Sequence, residues 1–250
     1  MKKLFGYAMD IGEQMLVSGA EVHRVEESIN RMCSAFGAVR VDVFIITSSM
    51  VVTVTTEDGD TYTQTRRVTS GGFNFEKLHL LNNLSREICN TKLTEEQIEE
   101  RLESISNSKK FPLWLEVLCY AVIAGSFALF FGGNVLEMVI AFIIGAVVGV
   151  STFLFGMVIS NKIFNKFVAS TITTVLAFVA VKLGWIASVD NVIIGNIMSL
   201  IPGIGLTNAL RDLFAGDSIA GLLRAIEAVL IALGIAAGYF LVAVLGGFAL

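Results

Sequence analysis

The sequence predicts an α-helical multi-pass membrane domain preceded by an N-terminal cytosolic α+β domain. Two observations carry this. Charge is concentrated at one end: residues 1–111 hold 13 of the 18 Lys and Arg and 16 of the 22 Asp and Glu. The remaining 139 residues hold 5 basic and 6 acidic side chains, and break into five apolar segments. The boundary therefore falls at 1–110 for the α+β domain and 111–250 for the transmembrane domain. A net charge of −4 without a Lys/Arg stripe argues against a nucleic-acid surface.

Along the first domain, Ala8, Ile11 and Met15, then Val22, Val25, Ile29, Met32 and Phe36, recur at three- and four-residue steps, the period of a helix. Ser18 with Glu21 fits a capping box, so two helices are expected to meet at Ser18-Gly19. Runs rich in Val, Ile and Thr over 39–47 and 50–56 read as strands. Glu57-Asp58-Gly59-Asp60 is a hairpin turn, and 61–68 returns as a polar edge strand. Ser70-Gly71-Gly72 breaks the chain before a helix over 74–90. Thr94 and Gln97 then cap a charged helix with the apolar stripe Ile98, Leu102 and Ile105. Asp10, Glu13 and Glu21 interrupt any signal-peptide core, which keeps this domain in the cytosol. Cys33, Cys89 and Cys119 lack metal-like or paired spacing and read as reduced structural cysteines. His23 shares a helical face with Glu27, and His79 stands alone. No metal site, cofactor loop or nucleophile elbow is expected.

Pro112 suits a first helical turn, and the apolar segments fall near 113–131, 136–160, 167–187, 191–206 and 218–246. Gly145 with Gly149, and Gly234 with Gly238, are small-xxx-small spacings that let helices approach closely. Lys109, Lys110, Lys162, Lys166, Arg211 and Arg224 fall on one side and Lys182 on the other. The N-terminus is expected in the cytoplasm and the C-terminus outside.

The fourth segment carries the chemistry. It is short for a span and interrupted by Pro202, Gly203 and Gly205. Broken backbone at membrane depth survives only where protein or a watery cavity satisfies it, and many secondary transporters build their sites there. Asn208, Arg211 and Asp212 follow at helical spacing on one face. Thr207 stands at an N-cap position and Gly216 at a C′ position, which frames a short helix over 208–215. Its N-terminal N–H groups and Arg211 suit a carboxylate, and Asp212 suits a group that gains and loses a proton. The plainer alternative is a solvated loop with Arg211 and Asp212 as ordinary cytoplasmic charges. Asn196 and Ser199 lie on one face just before the break, and Thr171 and Thr174 could line the same cavity or bond their own backbone. Asp217 is expected to cap the last helix. Glu227 lies about three turns into it, where a carboxylate costs roughly 2.5–3.5 kcal/mol; it is either paired with Arg224 or a proton relay. Glu116 and Glu137, at segment ends, read as interfacial.

These residues resemble the threonine/serine exporter family. The resemblance rests on Ser18-Gly19-Ala20-Glu21-Val22-His23-Arg24-Val25-Glu26, on the α+β domain leading into five spans, and on Ile201-Pro202-Gly203 through Asn208-Ala209-Leu210-Arg211-Asp212, Gly216-Asp217 and Gly221. It implies a bacterial inner-membrane exporter of threonine and serine or of a dicarboxylate such as succinate. The chain is similar to the larger subunit of the family's split form, which implies a small all-membrane partner subunit; homo-oligomers are also expected. On this reading the substrate-binding residues are Asn196, Ser199, Gly203, Gly205, Asn208 and Arg211, and the proton-coupling residues are Asp212 and Glu227. The rival readings are a membrane-anchored hydrolase and a ligand-sensing regulatory subunit, both acting through the N-terminal domain.

Overall fold

A computed structural model of the chain describes residues 2–69, 71–91, 93–108, 111–159 and 161–246. Ser70, Lys109 and Lys110, which entered the loop and orientation expectations, lie outside them. The chain divides into two compact units, Met1–Lys109 with Gly205–Ala225, and Lys110–Ile204 with Ile226–Leu250.

The first unit opens with helices α1 (Lys2–Val17) and α2 (Val22–Ala35). Their apolar stripes are buried as their spacing predicts, with Phe5, Met9, Ile11, Met15, Ile29 and Met32 at the centre. Strands β1 (Ala38–Ile46), β2 (Ser49–Thr56) and β3 (Thr61–Arg67) form an antiparallel sheet in the order β1-β2-β3. Val43 opposes Val52, and Thr53 opposes Thr63. One face of β2 (Met50, Val52, Val54) joins the core, as a period of two requires. Gly59 takes a φ of 84° in the hairpin turn, where a side chain is strained. Helix α3 (Phe75–Asn90) follows, then α4 (Glu95–Ser106), whose Thr94–Gln97 capping box forms as expected. Asp10 on α1 pairs with Arg66 on β3 at 2.8 Å, and the Glu26 carboxylate on α2 accepts from the Ile45 N–H at 3.1 Å.

The second unit contains α5 (Leu113–Phe130), α6 (Val135–Val158), α7 (Lys162–Lys182), α8 (Asp190–Met198) and most of α10 (Ser218–Leu245). Four helices, α5, α6, α7 and α10, are long and apolar enough to cross a membrane. A fifth span results if α8 and α9 (Gly203–Ala215), bent by 53° at their break, are counted as one. The third segment starts at Lys162, five residues before the expected start, because Asn161 caps it by accepting from the Ile163 and Phe164 N–H groups. Pro112 stands at the N-cap position of α5.

The paired glycines are close-approach positions. A Cβ on Gly145 would stand 2.7 Å from the Ala124 Cβ and 2.8 Å from the Tyr120 carbonyl oxygen of α5. One on Gly238 would stand 2.5 Å from the Phe167 carbonyl oxygen of α7. Where lipid tails supply no hydrophobic drive between helices, such backbone proximity supplies the packing. Thr171, Thr173 and Thr174 hydrogen-bond carbonyls one turn back on their own helix, while Ser170 donates across to the Ile235 carbonyl at 2.7 Å. Glu137, in the first turn of α6, is buried: it closes a capping box with Asn134 and accepts from the Asn191 amide at 3.0 Å.

Candidate functional site

The break lies where Pro202 and the glycines predict it. Helix α8 ends in tight turns, with the Leu200 N–H donating to the Ile197 carbonyl, and α9 starts at Gly203. Thr207 is therefore inside α9 and not its cap, because glycine and leucine at 203–206 continue the helix backwards by a turn. The C-terminal expectation holds. Gly216 has a φ of 99°, its N–H donates to the Leu213 carbonyl, and the Asp217 N–H donates to the Asp212 carbonyl at 2.9 Å. This pair of bonds is a Schellman closure.

Asn208, Arg211 and Asp212 do share a side of α9, and all three engage the turn between α1 and α2. The Asn208 amide donates to the Gly19 carbonyl at 3.1 Å. The Val22 N–H donates to Asp212 Oδ1 at 3.0 Å, and Arg211 pairs with Glu21. Asp212 is fully buried and Asn208 nearly so. The second Asp212 oxygen lies 3.0 Å from Nη1 of Arg224 on α10, whose Nη2 donates to the Ala20 carbonyl at 2.8 Å. Helix α2 has no cap from its own flank: Glu21 stands at the N-cap position without a side-chain bond, and the Ser18–Glu21 box does not form. The cap comes from Asp212, 190 residues away. Its negative charge sits at the positive end of α2 and is balanced on the other side by Arg224.

One sequence reading is corrected here. Arg224 pairs with Asp212, not Glu227; the Glu227 carboxylate instead receives Lys162 Nζ at 2.9 Å. Arg224, 12 residues beyond Asp212, reaches it because α10 comes back alongside α9. Gly221 permits this, since a Cβ there would stand 2.8 Å from the Ala209 carbonyl oxygen. Asn196 and Ser199 belong to the second unit. The buried Asn196 amide donates to the Ala141 and Val192 carbonyls, and Ser199 donates to the Asn196 carbonyl at 2.8 Å. Sequence spacing alone does not point to Glu21 and Arg224 as partners of the cluster, although both lie within or close to the stretches that carry the family resemblance.

Glu26, one turn into α2, is half-buried, and burial pushes its carboxyl above the ordinary value. The Asp217 and Asp212 charges push the same way, while the Ile45 N–H and His23 oppose them. Among the described residues, no group of His, Cys, Asp and Glu is arranged to hold a metal ion.

Residues 6–246 match the family model described as "Putative threonine/serine exporter". The chain belongs to the threonine/serine exporter family. It is 27% identical over 240 residues to the "Threonine/serine exporter" of Corynebacterium glutamicum, covering 92% of this chain and 49% of that protein. It is 25% identical over 211 residues to the "Probable succinate transporter subunit YjjP" of Klebsiella aerogenes, covering 84% and 81%. "Pheromone-regulated membrane protein 10" of Eremothecium gossypii is 26% identical over 251 residues, 96% of this chain and 33% of that protein. The chain thus spans about a third of the length of that fungal relative and about half of the Corynebacterium one. No solved structure matches it significantly. Family and helices together make this exporter-family chain a membrane protein.

Proposed function

We propose that the chain is a subunit of a secondary-active exporter, moving threonine and serine or a dicarboxylate such as succinate out across a bacterial inner membrane with protons as the coupling ion. The observation that carries this reading is the carboxylate-and-guanidinium cluster beside the α8–α9 break. Two acids, Glu21 and Asp212, each face an arginine, Arg211 and Arg224. Arg211 is largely exposed, so a substrate carboxylate can take the place of Glu21 on its fork. Asp212 is buried between a positive helix end and Arg224, and its protonation would loosen both contacts at once. Substrate on Arg211 and proton on Asp212 would then open the same turn from two sides, which is a coupling of the two flows. Asn208 orients the turn, Gly203 and Gly205 leave two positions in the first turn of α9 free of side chains for a substrate to approach, and Asn196 and Ser199 supply polar groups before the break. Glu227 with Lys162 is the second candidate proton site.

The function is read as transport rather than catalysis, with the N-terminus in the cytoplasm, the C-terminus outside, and a small all-membrane partner subunit completing the path. The name of the Klebsiella relative, a transporter subunit, supports the partner. The test is reconstitution with that partner into sealed vesicles, scoring exchange and gradient-driven flux separately. Asp212→Asn should exchange substrate yet fail to move it uphill. Arg211→Lys keeps charge but loses the fork, and should weaken substrate binding first. Uphill transport by Asp212→Asn at the unaltered rate removes Asp212 from the mechanism and leaves Glu227. Reporters fused at the two ends should report opposite sides, and full transport by this chain alone would overturn the partner.

A further inference from the structure

A second polar feature of the first unit lies away from this cluster, in the groove between α2 and α3. Arg24, Ser28 and Arg31 stand at steps of four and three on one face of α2. Asn82, Arg86 and Asn90 stand at steps of four on the facing side of α3. Between them is a cavity of about 110 Å³, the space of roughly four water molecules. The guanidiniums are not equivalent. Arg31 is taken up by Glu27, one turn earlier and itself lining the cavity, so that this pair cancels and leaves Arg24 and Arg86 as its net charge. Arg24 and Arg86 make no ion pair or hydrogen bond among the described residues, and neither do the Ser28 hydroxyl and the Asn82 and Asn90 side-chain amides. Elsewhere in this unit the arginines of α4, β1 and β3 with ordered partners face carboxylates: Arg101 with Glu87, Arg40 with Asp42, Arg66 with Asp10.

We propose that this groove is a phosphate-binding site, holding the dianionic phosphate group of a small cytosolic metabolite or free phosphate. The chemistry matches in three ways. Two unpaired guanidiniums from opposite helices balance two negative charges, and each presents a fork suited to a phosphate edge. The hydroxyl and amides supply further donors. The cavity has room for a tetrahedral oxyanion. A single carboxylate would leave one arginine without a counter-charge. The site does not depend on the exporter reading, since a chain that transports nothing would still bind phosphate there. It gains meaning from α2, which carries both the groove and, at Val22, the bond to Asp212. A ligand that ties α2 to α3 therefore acts on the helix whose first turn the α9 cluster holds.

The test is isothermal titration of the purified full chain, at physiological ionic strength, with inorganic phosphate, with glycerol phosphate and, as a singly charged comparison, with acetate. One saturable site for phosphate or for the ester, and none for acetate, is the expected result. Tighter binding of the ester identifies a metabolite, and tighter binding of phosphate identifies the free ion. Arg24→Gln and Arg86→Gln should each weaken binding by about tenfold or more, the loss of a charge-assisted contact. Arg40→Gln, on β1 and outside the groove, should leave it unchanged. Thermal unfolding of each variant separates lost binding from lost folding, and Arg86→Lys should retain part of the affinity. Absence of saturation with both phosphate ligands, or an equal loss in Arg40→Gln, overturns the site.

Discussion

Replacing Asp212 by asparagine tests the remote cap most directly. The substitution keeps the size of the side chain and an oxygen that can still accept from the Val22 N–H, so the backbone contact need not be lost. What disappears is the charge. Removing one member of a buried ion pair costs roughly 3–5 kcal/mol. Arg224 keeps its bond to the Ala20 carbonyl and retains some exposure, which places the loss near the lower end, about 3 kcal/mol. Loss of a negative charge at the α2 N-terminus adds about 0.3–1 kcal/mol. Asp212→Ala also removes the acceptor, for about 1 kcal/mol more.

Amide hydrogen exchange over the peptide spanning residues 20–26 reads this locally. At 1.4 kcal/mol per factor of ten, a 3 kcal/mol loss speeds exchange about a hundredfold. Helix α4 carries its own cap from Thr94 and Gln97, and should change little. Arg224→Gln should mimic the effect. The double variant should cost no more than either single one, because both remove the same pair. A change of less than about threefold at residues 20–26, or one equal to that in α4, refutes the remote cap.

Four further outcomes follow from the packing and charges. Glu26 binds its proton in the folded chain at pH values where the unfolded chain, near the ordinary 4.5, has lost it. Folding therefore gains stability as pH falls through the raised value towards 4.5, and Glu26→Gln should raise the melting temperature more at pH 7 than at pH 5. Gly145→Ala forces a Cβ to within 2.8 Å of the Tyr120 carbonyl oxygen and should destabilise by about 1–3 kcal/mol. Gly6→Ala in α1, where nothing lies within 4 Å, should instead stabilise by about 0.5–1 kcal/mol in thermal melts. Burial pushes the Cys33 thiol up to about 12, so iodoacetamide should leave it unmodified until the chain is unfolded, as read by mass spectrometry.

Much of the fold was legible because its determinants are local. The stripe Val22, Val25, Ile29 and Met32 specifies a helical face, alternation in Met50–Val54 specifies a strand face, and Thr94 with Gln97 specifies a helix start. Each signal lies within a few residues of the structure it determines. Errors fall where two local signals compete. Ser18 and Glu21 have the spacing of a capping box, yet Gly19, at a φ of 93°, turns the chain sharply. The helix restarts only at Val22, so that Glu21 and not Ser18 stands at the N-cap position. Thr207 has the chemistry of a cap, but Gly203-Ile204-Gly205-Leu206 carries no signal strong enough to keep four residues out of a helix once Pro202 has begun one.

The site was legible only in part, and for a different reason. Helical spacing put Asn208, Arg211 and Asp212 on one face, and that grouping needs no tertiary information. What the face meets is a non-local fact. Arg224 lies 12 residues beyond Asp212, and reaches it only because the chain reverses at Gly216-Asp217 and Gly221 lets α10 lie against α9. By spacing alone, Glu227 at i+3 was the obvious partner, and Asp212 had none. Geometry reverses this, leaving Glu227 to Lys162 on α7. The Gly19-Ala20-Glu21-Val22 turn exposes two carbonyls and a free N–H with no local partners. That deficit is hidden in the sequence by the Ser18–Glu21 spacing, which reads as a capping box, and shows only in the structure. An unmet backbone donor in one turn, and an acid with an amide on a distant face, are complementary requirements. Where a helix lacks its own cap, the acid that supplies one from elsewhere is a residue to test for function before stability, because a cap made by tertiary contact can be released without unfolding the helix it holds.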